Sequence, residues 1–450
     1  MTCIIIVNLL IARSLEADMN SIWSATCQKP NFPTLIKDKK TEVLIIGGGM
    51  AGVLCAYYLH QQNVPYMLVE GKTIGDGITK NTTAKITSQH GIIYNKLVSR
   101  FGIDKARLYF NANEEAIKRY KDLSQQYDCD LEEKSAFVYS LTNREKIEQE
   151  IQAMLNFGAQ VKFRTQLPLP FAIAGAVQLD HQAQFHPLKL LYKIAAGLNI
   201  YEGCFVEKID GNHAITKQGA ITANKIIVAT HFPMMNTHGS YFIKMYQHRS
   251  YTLALDKTLV LDGMYVDEAK SGMSFRTYKD YLILGGGDHR TGKLGGGYAE
   301  LRDFTNRYYK DVKEVYSWAT QDCMTLDGVP YIGKYSKHTP NIYVATGFNK
   351  WGMTSSMVAA MILSDMVQGK ENIYASVFNP SRSIIRPQLF INLFESSVGL
   401  LTPKRRRCTH LGCALHWNKV EHTWDCPCHG SRYEANGKLI DNPAKKDAKV

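Results

Sequence analysis

The stretch from Thr41 to Glu70 constrains the chain most. Thr41-Glu42-Val43-Leu44-Ile45-Ile46 has the short apolar pattern of a buried strand. Gly47-Gly48-Gly49-Met50-Ala51-Gly52 follows with no spacer. Val53 to Gln61 continues as a helical run, and Tyr66-Met67-Leu68-Val69 is a second strand that ends on Glu70. Strand, Gly-x-Gly-x-x-Gly, helix, strand and acid is the order of a dinucleotide-binding βαβ unit. Gly47, Gly49 and Gly52 permit the tight turn and a close backbone approach to a pyrophosphate. The helix N-terminus faces the phosphates, and Glu70 accepts hydrogen bonds from ribose hydroxyls. A lone glycine motif also occurs in unrelated α/β turns; here the two strands and the acid 18 residues past Gly52 supply the context.

A second constraint lies near the C-terminus. The chain reads Cys408-Thr409-His410-Leu411-Gly412-Cys413, and later Cys426-Pro427-Cys428-His429-Gly430-Ser431. Cys408 with His410, and Cys426 with His429, form two cysteine–histidine pairs. Two thiolates and two imidazoles are the ligand set of a Rieske [2Fe–2S] centre, cysteines on one iron and histidines on the other. Paired cysteines of this kind also suggest zinc, but the Cys-x-His and Cys-x-x-His order, with Gly412 and Gly430, argues against it. Four of the ten cysteines fall in this window and the rest are scattered. That distribution fits a reduced, cytoplasmic compartment and one metal site rather than a disulfide framework.

At 450 residues the chain has room for two or three domains and a sizeable core. It is 45% hydrophobic and 21% charged, as a soluble globular protein is. A net charge of +12 suits either a solvated lysine-rich surface or an acidic protein partner. No basic stripe with interleaved aromatics appears, so no nucleic-acid partner is expected. The apolar run Thr2 to Ala12 is shorter than the roughly 20 residues that span a bilayer. It also lacks the basic lead of a secretory signal, since Arg13 follows it; no membrane span is expected. Met19 is an alternative start, and residues 1–18 are expected to be an over-extended start or a disordered tail, which intact mass would test. Residues 20–40, with Pro30 and Pro33, read as an extended lead-in.

Further stretches narrow the dinucleotide. Gly75 to Lys85 is a small, polar, Gly/Thr-rich loop. Ala223 to Thr230 is a buried strand ending in Ala-Thr. Asp327-Gly328-Val329-Pro330-Tyr331-Ile332-Gly333 precedes Asn341 to Met353, which contains Gly347-Phe348-Asn349-Lys350-Trp351-Gly352-Met353. From about residue 40 to the C-terminus the chain resembles the D-amino-acid oxidase/glycine oxidase superfamily of FAD-dependent oxidoreductases, in the branch with a C-terminal Rieske module. The resemblance implies an α/β fold. An FAD-binding Rossmann-like domain (41–95, 185–235 and 325–370) is interleaved with an α+β substrate domain of mainly antiparallel sheet (96–184 and 236–324). A lead-in (1–40), a connector (371–403) and a small all-β Rieske module (404–450) complete the chain.

The resemblance also implies the FAD contacts: Gly47, Gly49, Gly52, Glu70, Thr83, Val206 (whose backbone meets the adenine), Ala229, and Gly347, Trp351, Gly352 and Met353 in the last turn. A glycine turn there lets backbone N–H groups approach the flavin carbonyls, and the helix from Thr354 directs its positive end at them. Trp351 reads equally as a core aromatic. Between these segments, residues 103–128 and 142–157 read as amphipathic helices, 135–141 and 160–164 as strands, and 187–198 as a helix. Strands around 201–230 complete the FAD sheet, and short strands near 249–255, 274–278 and 281–287 belong to the substrate sheet.

Relatives oxidise amines and amino acids by hydride transfer to flavin N5, so the protein's task is to orient a C–H bond and hold the substrate's polar end. Arginine is the natural carboxylate clamp. Arg276 occupies about the matching place; Arg249 and Arg290 are alternatives, and His289 is a possible base. Each of these also reads as a structural or ion-paired residue. Substrate of the amine or amino-acid class reduces FAD, and the cluster passes electrons singly to an external partner such as a ferredoxin-like carrier. Reverse flow, with a carrier feeding a reductase, and a redox sensor or electron carrier without turnover are the alternatives.

In the C-terminal module the resemblance implies a disulfide between Cys413 and Cys428. It also implies hydrogen bonds from Ser431 to a bridging sulfur and from Tyr433 to a ligand cysteine. Gln388 to Leu401 is a helical stretch with Phe390, Phe394 and Leu400 for docking. Lys404-Arg405-Arg406-Arg407 places four cations directly before the first ligand. The module is shorter than an ordinary Rieske domain and has Asn442 in place of the usual glycine before Pro443. It is expected to lean on the flavoprotein for its missing sheet.

Overall fold

The computed structural model describes residues 20–256, 260–269, 271–403 and 405–450. The expectation for residues 1–18, and Lys404 of the basic run, lie outside the described residues.

The core of the first sheet is parallel. Lys39–Ile46 pairs with Tyr66–Val69 on one side and Gly219–Val228 on the other, and Gly219–Val228 pairs with Ile342–Thr346. Val43 to Ile46 are all buried, as expected of a strand covered on both faces. Ile200–Tyr201 extends the parallel set beyond Tyr66–Val69, and Tyr331–Lys334 closes the other edge antiparallel to Ile342–Thr346. Helices Met50–Gln61 and Gly352–Met366 pack against each other. Both are apolar nearly all round because protein surrounds them.

The second sheet has nine strands. Glu314–Thr325, Met245–Leu255, Tyr281–Arg290, Ser274–Tyr278 and Met264–Asp267 are successive antiparallel neighbours. Met264–Asp267 then runs parallel to Glu132–Ser140, which pairs antiparallel with Gly175–Gln184. Lys85–Ile86, from the segment assigned above to the FAD domain, joins this second sheet beside Gly175–Gln184. The two sheets thus draw on alternating segments of the chain. A third, four-stranded antiparallel sheet (His416–Asn418, Thr423–Asp425, Arg432–Glu434, Leu439–Asp441) forms the C-terminal lobe.

Two expectations change. The lead-in is not simply extended: Ile22–Ala25 is a short helix capped by the Ser21 side chain, with Ile22 and Trp23 fully buried. Trp23 Nε1 donates to the Thr82 carbonyl at 2.7 Å. The connector helix, Pro387–Leu401, does not dock through Phe390, Phe394 and Leu400, which are 63%, 67% and 49% exposed. Leu389, Asn392 and Gly399 are its buried positions. They share one face at helical spacing, which turns the phenylalanines away from the protein.

The lobe is pinned to the second sheet by polar groups. Glu421 accepts from Arg249 of strand Met245–Leu255 and from Arg432 of its own sheet, and all three side chains are buried or nearly so. Arg290 donates to the carbonyls of Pro427 (3.0 Å) and Cys428 (3.3 Å). Asn442, the residue that departs from the family pattern, donates its amide to the Thr230 carbonyl at 2.6 Å. The expected leaning of the lobe on the flavoprotein takes this form.

Candidate functional site

The first strand, its glycine turn and the last turn converge on a cavity of about 340 Å³. Gly47, Gly49, Glu70, Val206, Ala229, Gly347, Gly352 and Met353 line it. A Cβ on Gly52 would lie 1.9 Å from the Gly47 carbonyl oxygen, so helix and turn close only with glycine there. Gly52 therefore shapes the cradle from behind rather than lining it. Glu70 accepts from the backbone N–H groups of Gly48 (2.7 Å) and Lys72 (2.8 Å). Burial pushes its carboxyl up, and these two donors oppose the shift. Each carboxylate oxygen keeps a further lone pair for a ribose hydroxyl.

Thr83 and Trp351 stand outside the cavity wall. The Thr83 carbonyl accepts from Arg276, and Trp351 stacks on His90 at 4.9 Å and 15°. His90 is buried and hydrogen-bonded to Tyr109 (2.6 Å) and the Thr87 carbonyl (2.7 Å); burial lowers its pKa to about 3 and keeps it neutral. Thr79 is a cavity residue that the motif did not single out. Its hydroxyl accepts from the Met50 N–H at the start of the first helix, 3.0 Å away.

None of the four candidate substrate residues, Arg276, Arg249, Arg290 and His289, lines the cavity. Arg276 is fully buried under Trp23, 5.4 Å from its ring, and donates to the carbonyls of Thr83 (2.9 Å), Ala84 (2.6 Å) and Phe185 (3.4 Å). Arg249 is the anchor of Glu421. His289 stacks on Tyr251 at 5.7 Å and 19°, with Nδ1 at the Gly287 carbonyl. Asp322, on the strand Glu314–Thr325 opposite His248, does line the cavity. Burial pushes its carboxyl up to about 6. Lys350, from the last turn, also bears on it and is ion-paired to Asp288 at 2.5 Å. Asp322 had no sequence signal: it is one acid in an otherwise ordinary strand.

The lobe brings together the expected cluster ligands. Cys408, Cys426 and His429 are buried. The rings of His410 and His429 lie 4.9 Å apart at 86°. His410 Nδ1 and both nitrogens of His429 are buried without a hydrogen-bond partner. Burial lowers both imidazoles, to about 3 for His410 and about 4 for His429, so they are neutral and ready to bind metal. Orphaned buried nitrogens are costly in a folded protein, and these fit the two imidazole positions that a [2Fe–2S] cluster would need. His410 Nε2 is 2.9 Å from Asn236 Oδ1, which fixes the ring with Nδ1 inward. The Tyr433 hydroxyl lies 3.3 Å from Cys408 Sγ, while the Ser431 hydroxyl accepts from the Ala444 N–H at 3.0 Å.

The implied Cys413–Cys428 disulfide is absent. Both are free thiols, and the sulfurs of Cys413, Cys426 and Cys428 all lie within 4.8 Å of one another. Three sulfurs thus share one cluster, an arrangement unlike the single short bond of a disulfide.

A nucleotide cradle joined to a buried Cys/His pocket defines a flavoprotein with an iron–sulfur lobe. The chain belongs to the FAD dependent oxidoreductase family, whose model matches residues 42–366, and a Rieske [2Fe-2S] domain matches residues 388–450. It is 35% identical to the putative Rieske 2Fe-2S iron-sulfur protein YhfW of Bacillus subtilis, over 95% of this chain and 96% of that one. Its fold is similar to that of L-proline dehydrogenase from P. horikoshii (TM-score 0.65, 17% identity, 77% of this chain and 98% of that one). Glycine oxidase from Geobacillus kaustophilus is equally similar (TM-score 0.65, 19% identity, 77% and 99%). FAD and a [2Fe–2S] cluster are its cofactors, and it is an oxidoreductase dependent on both. Among the described residues no helix is long and apolar enough to cross a membrane.

Proposed function

We propose that this enzyme oxidises an amine or amino acid at FAD and exports the electrons one at a time through the [2Fe–2S] cluster to an external acceptor. One observation carries the reading: Leu439 to Lys445 of the lobe line the same cavity as the glycine cradle. The flavin site and the cluster lobe therefore share a wall, which favours direct transfer between them. The substrate class rests on the neighbouring folds, which include an L-proline dehydrogenase and a glycine oxidase.

Bound FAD supplies the hydride acceptor. The chain's own residues do the rest. Glu70 and the glycine turn hold the nucleotide. The lobe segment screens the cavity from water, which strengthens polar interactions inside it. Cys408, Cys426, His410 and His429 hold the two irons, with Tyr433 beside the Cys408 sulfur. Arg276, Arg249 and His289 support this apparatus from outside the cavity.

Anaerobic mixing with a panel of amines and amino acids tests the reading. Flavin bleaching followed by cluster reduction is expected with at least one of them. If none bleaches the flavin while dithionite reduces both centres, the dehydrogenase reading fails. If a reduced ferredoxin then reduces the flavin through the cluster, the reverse flow replaces it.

A further inference from the structure

We infer that the outward face of the helix Pro387–Leu401, with the arginines that follow it, is the docking surface for an acidic one-electron carrier protein. The inference rests on the electron-export reading above and supplies the site of export.

The helix carries its polarity the wrong way round for a surface element. Phe390 (63% exposed), Phe394 (67%), Val398 (43%) and Leu401 (82%) follow one another at helical spacing along its solvent side, flanked by Ile391 (50%). A helix packed on one side ordinarily presents polar residues on the other. A contiguous exposed apolar stripe of this kind marks an interaction site.

Its position sets it against the cluster pocket. Gly399 lies on the inner face with no side chain, and a Cβ there would sit 2.5 Å from Cys428 Sγ. The Gly399 carbonyl accepts from Ala414 N–H at 2.8 Å, and Cys428 Sγ is 3.8 Å from the Glu395 carbonyl. The helix thus rests on the cysteine loops. The histidines point the other way: His410 meets Asn236 and the Phe232 ring, and His429 meets the Phe242 ring. Flavoprotein covers the histidine side and this helix covers the cysteine side. A carrier seated on the stripe is separated by about one helix diameter, ~10 Å, from the Cys413 and Cys428 sulfurs, on the two loops that also carry Cys408 and Cys426.

Charge selects the partner. Arg405 and Arg406 are exposed at the C-terminal end of the stripe. Arg407 donates to the carbonyls of Leu400 (3.0 Å) and Thr402 (2.8 Å), which adds a fixed cation at the helix end. Glu395, the one acid in the helix, is neutralised by Lys293 at 2.6 Å. An apolar stripe with a positive end fits an acidic protein with an apolar contact patch; electron-transfer encounters are small and steered by charge. An anionic lipid surface would meet the same arginines. The contact with the cluster loops favours a redox protein, because only that partner gains from the proximity. One electron leaves the reduced cluster for each oxidised carrier, so two carriers are reduced per two-electron oxidation of substrate.

The test uses the full-length holoenzyme, reduced anaerobically with dithionite and freed of excess reductant, so no substrate is needed. It is mixed in a stopped-flow instrument with oxidised plastocyanin, an acidic blue-copper protein, and separately with a basic c-type cytochrome. The expected result is a bimolecular rate with plastocyanin that falls at least ~10-fold between low and high salt, a fall absent with the cytochrome. Phe394→Ser combined with Arg405→Glu is expected to lower the plastocyanin rate by a further ~10-fold at low salt, where steering is strongest. Leu401→Ser is the second variant, and flavin and cluster spectra verify that both fold. Equal rates for the variants and the parent overturn the proposal. So does flotation of the parent with phosphatidylserine vesicles, lost in the variants, while their plastocyanin rates stay unchanged. A substrate screen that finds no amine leaves these rates intact and so strikes the proposed function alone.

Discussion

Gln247 donates its side-chain amide to the His429 carbonyl at 2.7 Å and so ties the second sheet to a cluster-binding loop. Its oxygen in turn accepts from Gln321 at 2.7 Å, and Gln321 also donates to the Gly430 carbonyl at 2.8 Å. Two neighbouring strands of the sheet thus hold two successive carbonyls of the loop that carries His429.

Gln247→Leu removes the shared link and strands a buried carbonyl and a buried amide. Loss of such partners costs about 1–3 kcal/mol. In photoreduction followed at flavin and cluster wavelengths, the variant is expected to reduce its flavin normally while cluster reduction lags. Simultaneous reduction at the wild-type rate would show that Gln247 does not position the loop.

Glu421→Gln leaves Arg249 buried without its carboxylate, while Arg432 keeps Asp425 and Asp441. Breaking a buried pair of this kind costs about 3–5 kcal/mol. In a urea titration the cluster absorbance should disappear before the flavin signal, whereas the parent loses both at higher urea.

The same carboxylate gives the lobe an acid limit. Burial alone would raise Glu421, but Arg249 and Arg432 outweigh it and hold the group below its ordinary 4.5. A depressed folded pKa contributes stability above the unfolded value, and that stability is lost as pH falls through the folded value. Cluster circular dichroism should therefore be flat above about pH 4.5 and decay below it; decay beginning near neutrality would contradict the assignment.

Asp322 has the opposite sign. Its carboxyl is raised from 3.8 to about 6 by burial. Its ionised form destabilises the apoprotein above pH 6, and stability is regained as pH falls from 6 toward 3.8. Asp322→Asn should melt higher than the parent at pH 8, with the difference vanishing near pH 4. A pH-independent difference would mean that packing, not ionisation, is responsible.

Gly52→Ala is expected to abolish FAD retention, read as loss of flavin absorbance after gel filtration, because the added methyl meets the Gly47 carbonyl. Cys408→Ser is expected to lose the cluster while FAD stays bound but dissociates faster, followed by flavin fluorescence on dilution. Loss of FAD at purification would mean that the lobe supports the whole cradle.

Local pattern and ligand chemistry were legible in the sequence; partnerships between distant segments were not. The strand–turn–helix–strand–acid order specifies its own geometry within thirty residues, so the cradle from Gly47 to Glu70 could be read directly. The Rieske lobe was legible because two thiols and two imidazoles at that spacing have few other uses. Arg249 looked like a substrate clamp because Glu421, its partner, lies 172 residues away. The packing of Arg276 was hidden for a similar reason: the ring above it is Trp23, in a segment whose prolines signalled only an extended lead-in. The connector's phenylalanines signalled a helix with an apolar stripe, but not which stripe faces the protein; that depends on Gly399, whose lack of a side chain lets the cysteine loops come close.

The alternation of segments between the two sheets also orders the protein's synthesis. Lys39–Ile46 acquires its partner Gly219–Val228 only after some 170 further residues have been made, and the cavity wall is finished by Leu439 to Lys445. A nascent chain therefore leaves one edge of its first strand unpaired through about half of translation, a condition that favours aggregation and chaperone capture. The cavity has its full wall only once residue 445 is in place, so flavin loading is expected to follow synthesis of the lobe.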